Sequence, residues 1–64
     1  MAWVAVNRDG TESIYNNRPL RREATGEWAP SWGTVNDDEV YLPSGAIEKL
    51  IGHRLTWEDD PVEL

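Results

Sequence analysis

The first fifteen residues constrain the fold most. Trp3-Val4-Ala5-Val6 is a short run rich in β-formers, Asn7-Arg8-Asp9-Gly10 is a turn signal, and Thr11-Glu12-Ser13-Ile14-Tyr15 is a second extended run. Asn suits the first turn position, and Gly10 supplies the positive φ that closes a type I turn with a bulge. With Asn7 facing Thr11, Val4 stands opposite Ile14 and Trp3 opposite Tyr15. Side chains alternate between the two faces of a strand. One face of this hairpin therefore carries Val4, Val6 and Ile14, and the other carries Trp3, Ala5 and Tyr15. A ribbon apolar on both faces is either central or covered a second time. In a chain of 64 residues, that second cover is open to another copy of the protein, which makes a homo-oligomer one expectation.

The remaining chain divides by its breakers. Pro19 fixes φ and lacks an N–H, so a new segment starts there. Leu20-Arg21-Arg22-Glu23 reads as a short edge strand whose charges block unwanted pairing. Residues 24–34 contain Gly26, Pro30 and Gly33 together with Trp28 and Trp32, which predicts an ordered loop. Residues 35–39 are polar and turn-like, and Val40-Tyr41-Leu42 reads as a strand ending at Pro43. Ser44 as N-cap, an apolar stripe of Ile47, Leu50 and Ile51, and Gly52 as terminator predict a short helix. At about two turns it must dock on the sheet to be stable. Leu55-Thr56-Trp57 is a candidate last strand, Glu58-Asp59-Asp60-Pro61 a stop, and Val62-Glu63-Leu64 a tail that packs or frays. The expected architecture is one α+β domain over residues 1–64: a small antiparallel sheet of three to four strands with one short helix in the C-terminal half.

Composition narrows the chemistry. There is no cysteine, which excludes disulfides, thiolate zinc sites and cysteine nucleophiles. His53 is the only histidine, and its place after a helix end suits a cation near the helix dipole better than a catalytic base. The acidic triplets Asp37-Asp38-Glu39 and Glu58-Asp59-Asp60 lack the alternating spacing that wraps calcium, so neither a metal nor a cofactor is expected. No apolar run approaches the roughly 18 residues of a membrane span, and Met1–Val6 has no basic residue to make a secretory signal.

Charge is polarised along the chain. Residues 1–32 hold four arginines and four carboxylates, whereas residues 33–64 hold two basic and eight acidic groups, so the whole net charge of −6 belongs to the second half. Such a chain repels phosphate backbones at long range and is not expected to bind nucleic acid generally. A basic protein partner, or imitation of an acidic one, suits it better. Four tryptophans and no phenylalanine make indoles the main aromatic volume. Trp3 and Trp57 read as core. Trp28 and Trp32, flanking Ala29-Pro30-Ser31, read as interface anchors. Arg18, Arg21 and Arg22 lie just upstream, where arginine beside indole can hold a phosphate while the ring stacks a base.

Nearly the whole chain resembles a group of small proteins encoded by bacteriophages and prophages. The resemblance rests on Trp3-Val4-Ala5-Val6 with Asp9-Gly10-Thr11-Glu12, on Arg18-Pro19, and on residues 42–52 (LPSGAIEKLIG) and 55–64 (LTWEDDPVEL). It implies a phage accessory protein acting in the host bacterial cytoplasm. The leading expectation is a non-enzymatic protein that binds and modulates a host protein, bacterial defence components included. Its contact would be formed by Trp28, Trp32, Asp37, Asp38, Glu39, Glu58, Asp59 and Asp60. One alternative is a homo-oligomeric sponge for a nucleotide-like ligand held by Arg18, Arg21 and Arg22. Another is a minor virion component.

Overall fold

The computed structural model describes residues 2–30 and 39–64. Strands β1 (Trp3–Val6) and β2 (Glu12–Tyr15) pair antiparallel with Val4 opposite Ile14 and Trp3 opposite Tyr15, the register that the turn residues predict. The Asn7 N–H donates to the Thr11 carbonyl at 2.8 Å and the Gly10 N–H to the Asn7 carbonyl at 2.9 Å. Gly10 sits at φ 93°, where a side chain would be strained.

Around this hairpin lie β3 (Leu20–Arg22), β4 (Glu27–Ala29), β5 (Val40–Leu42), helix α1 (Ala46–Ile51) and β6 (Val62–Glu63). A four-stranded sheet runs β5-β2-β1-β6, antiparallel throughout, and β3 and β4 form a separate two-stranded sheet. The fold is thus a small α+β structure, with two sheets and one short helix among the described residues.

Both faces of the central hairpin are buried, by different means. On one face Val4 and Val6 pack with Ile47 of α1 and with Leu55, with Ile14, Leu42, Ile51 and Val62 packed against them. On the other, Ala5 and Tyr15 pack with Trp28 of β4 and with Trp57. The second cover therefore comes from this chain itself, where the sequence had left room for another copy.

Further expectations change. Residues 27–29 form β4 rather than loop, because they pair with β3, Arg21 standing opposite Trp28. Gly26, at φ 74°, lets the turn before β4 press against Arg8: a Cβ there would lie 3.0 Å from the Arg8 Cβ. Residues 55–57 are not a strand. Asp59 Oδ2 accepts hydrogen bonds from the Thr56 N–H at 2.9 Å and the Thr56 hydroxyl at 3.1 Å, which curls the segment into a turn. The last strand is the tail: Val62 pairs with Val4, and the Leu64 N–H donates to the Ala2 carbonyl at 2.8 Å.

Ser44 does not cap the helix. The N-cap is Gly45, at φ 90° and without a side-chain cap of its own. Glu12 reaches over from β2 instead, accepting from the Gly45 N–H at 2.7 Å and the Ile47 N–H at 2.8 Å. A carboxylate satisfies two amides where a hydroxyl satisfies one, and its charge opposes the positive end of the helix. At the other end Gly52 terminates the helix as its position predicts, at φ 85° with its N–H on the Glu48 carbonyl. Leu50 is 54% exposed and so is not part of the packed stripe, which in a helix of six residues reduces to Ile47 and Ile51.

Candidate functional site

An open cleft of about 1000 Å³ lies between the β1–β2 turn, the start of α1 and the segment 54–58. Three arginines (Arg8, Arg21 and Arg54) and five carboxylates (Asp9, Glu12, Glu23, Glu48 and Glu58) line it. The volume is in the range of small-ligand and side-chain pockets, but the charge balance is acidic.

The bonding partners of these groups order the site. Arg21 turns inward. Its guanidinium lies 4.8 Å from the Trp28 ring centroid and 5.0 Å from that of Trp57. Its Nη2 donates to the Trp57 carbonyl at 2.8 Å and the Asp59 carbonyl at 3.1 Å. Arg8 lies 5.3 Å from the Trp57 centroid and donates from Nη2 to the Glu23 carbonyl at 2.8 Å. Trp28 and Trp57 meet edge to face, with centroids 5.6 Å apart. The result is a stack of two indoles and two guanidiniums, each cation held over a ring face. Glu12 is committed to the helix amides. Asp9 Oδ1 accepts from the Thr11 N–H at 2.9 Å, and hydrogen bonds from Thr11 hold its carboxyl below the ordinary 3.8. Glu48 and Glu58 remain exposed on the cleft wall.

The residues singled out from the sequence are scattered by the fold. Trp28 is an interior side chain, 5% exposed, with its Nε1–H on the Val6 carbonyl at 2.8 Å and its backbone N–H on Asn7 Oδ1 at 2.9 Å. It therefore presents no contact surface. Glu39 is half-buried, and its Oε2 accepts from the Tyr15 hydroxyl at 3.1 Å. The same hydroxyl lies 3.2 Å from the Trp28 carbonyl. Burial, and then the Glu39 carboxylate, push the Tyr15 phenol well above its ordinary 10.0. Asp59 is the turn-former described above. Glu58 and Asp60 are exposed. Arg18 lies over Trp3 at 5.2 Å, Arg22 is exposed, and only Arg21 of the three lines the cleft. Trp32, Asp37 and Asp38 lie outside the described residues.

Several groups that shape the site carry no local sequence signal. Glu12 looks like a charge at the end of a strand's apolar face, Arg8 like a solvated turn residue, and Tyr15 like a strand end. Asn7 is legible as a turn former, and its side chain also ties β1 to β4. Among the described residues no group of three or more His, Asp or Glu side chains is placed to hold a metal ion. No helix among them is long and apolar enough to cross a membrane. Comparison with family models, characterised proteins and solved structures gives no match to this chain.

Proposed function

We propose that this chain is a non-enzymatic binding protein whose acidic cleft receives a basic segment of a protein partner. The observation that carries the reading is the fate of the charges. Arg8 and Arg21 are positioned against indoles and backbone carbonyls, and the exposed charges of the cleft are Arg8 and Arg54 against the carboxylates Asp9, Glu23, Glu48 and Glu58. The cleft lining as a whole, five carboxylates against three arginines, is acidic. Complementary charge of this kind steers association and sets specificity. The resemblance to phage-encoded proteins makes a host protein the expected partner, with components of bacterial defence the first class to examine. The nucleotide-sponge alternative draws less support, because Arg21 and Trp57 occupy each other.

The test is capture from a bacterial lysate with the wild-type chain and a Glu48→Lys/Glu58→Lys variant, both sites being exposed and replaceable without disturbing the core. The expected result is a basic protein retained by the wild type and reduced about tenfold by the charge reversal and by raised salt. Retention of the same partner by both proteins would overturn the reading, as would a nucleotide co-purifying in place of any protein.

A further inference from the structure

The four-stranded sheet ends on one side at β5, and no strand pairs with the outer edge of β5 among the described residues. Among the described residues the edge lacks the usual protection. Val40 is 53% and Tyr41 68% exposed, and the strand holds no charge and no proline. Such an edge is a template for another strand.

The ladder geometry fixes which groups it offers. Hydrogen-bonded and non-bonded pairs alternate along an antiparallel pair. The Asn7 N–H bonds to Thr11, so Ser13 and Tyr15 direct their backbone groups toward β1. Glu12 and Ile14 then direct theirs toward β5, where they stand opposite Leu42 and Val40. Tyr41, between those two, turns its N–H and C=O outward. The edge is bounded beyond Leu42 by Pro43, which has no N–H to offer. Two residues past Leu42, Ser44 and Gly45 already belong to the wall of the acidic cleft.

The geometry points to β5 as the docking edge for an extended segment of the partner, added antiparallel or parallel through Tyr41, with apolar residues against Val40 and Tyr41 and basic residues toward the cleft. This inference rests on the acidic-binder reading and deepens it by naming the shape of what is bound. Charge decides the occupant. A second copy would bring its own net charge of −6 against the same charge here, whereas a segment carrying lysine or arginine is attracted. Main-chain bonds to an exposed edge supply affinity in this mode of recognition, and alternate side chains supply specificity.

The experiment follows backbone amides by NMR while a short peptide alternating lysine and valine is added, with a glutamate–valine peptide as control. In the protein alone, the Tyr41 amide should exchange rapidly with solvent. With the lysine–valine peptide it should slow by on the order of tenfold, and shifts should cluster on residues 39–45. The glutamate–valine peptide should do neither. Tyr41→Glu provides the decisive variant, because it adds negative charge while removing the apolar contact. The inference predicts weaker binding, whereas pure charge attraction predicts binding at least as strong. Shifts confined to the cleft residues Asp9, Glu48 and Glu58, with Tyr41 unmoved, would overturn the docking edge and leave the acidic-cleft reading standing. A Tyr41 amide already protected without peptide would overturn the edge as well. Absence of any shift would overturn both.

Discussion

The two faces of the β1–β2 hairpin are buried by contrasting chemistry. The face under α1 is aliphatic: Val4, Val6, Ile14, Ile47 and Leu55 fill space, and the directional bonds there come from Glu12 at its margin, which holds the start of α1. The opposite face is aromatic and cationic. Trp28 is held by its indole N–H on Val6 and its backbone N–H on Asn7, and Tyr15 reaches the Trp28 carbonyl and Glu39. Arg21 rests on both Trp28 and Trp57. Apolar burial is non-directional, whereas hydrogen bonds and ring contacts carry orientation. A short chain with no disulfide closes its second face with a few large side chains held in place by specific bonds. The same contacts draw Arg21 inward, half-buried between the two indoles.

The sharpest contrast between the faces comes from truncation on each side. Trp28→Ala removes the indole and leaves the Val6 carbonyl without its donor, so a loss of about 3–5 kcal/mol in urea unfolding is expected. In a domain of this size that approaches the whole stability. Trp28→Phe, which keeps an aromatic ring but not the donor, should recover part of it. On the aliphatic face Ile47→Ala should cost about 2–4 kcal/mol. If Ile47→Ala proved the more damaging, the weight given to the aromatic face would be misplaced.

Smaller effects test the links between regions. Glu12→Ala removes both helix-capping acceptors and should cost about 1–2 kcal/mol, whereas Ser44→Ala should change stability by less than about 0.5 kcal/mol. Equal effects would contradict capping by Glu12. Alkaline pH reports on the aromatic face alone. The folded chain holds the Tyr15 proton above its ordinary 10.0, so the unfolded chain loses that proton first. Stability from this group is fully present below about pH 10 and declines as pH rises toward the folded value. Tyr15→Phe should remove that slope in urea titrations. Leu50→Ala, on the exposed side of α1, should alter stability by less than about 0.5 kcal/mol.

How far the fold could be read from the sequence follows from the range of the interactions. The first hairpin was readable because its strands, turn glycine and alternating faces all lie within fifteen residues. Gly52 was readable for the same local reason. β4 was not, because Glu27-Trp28-Ala29 looks like loop until it meets β3 and the Asn7 side chain. Leu50 shares the spacing of a buried stripe, but six residues of helix turn only Ile47 and Ile51 toward the sheet. The acidic half was visible as charge. The placement of Arg8 and Arg21 over indole rings was not, since it depends on where Trp28 and Trp57 come to rest.

The central claim is that the aromatic face is closed from within this chain, and the Trp28 indole N–H tests it most directly. Hydrogen exchange of the indole N–H groups, followed by NMR at protein concentrations low enough to exclude self-association, distinguishes a core indole from a surface one. The account predicts that the Trp28 Nε1–H, bonded to the Val6 carbonyl in a side chain only 5% exposed, exchanges near the global unfolding rate and well behind that of the half-buried Trp3. Exchange of the Trp28 indole as fast as that of Trp3 would contradict it.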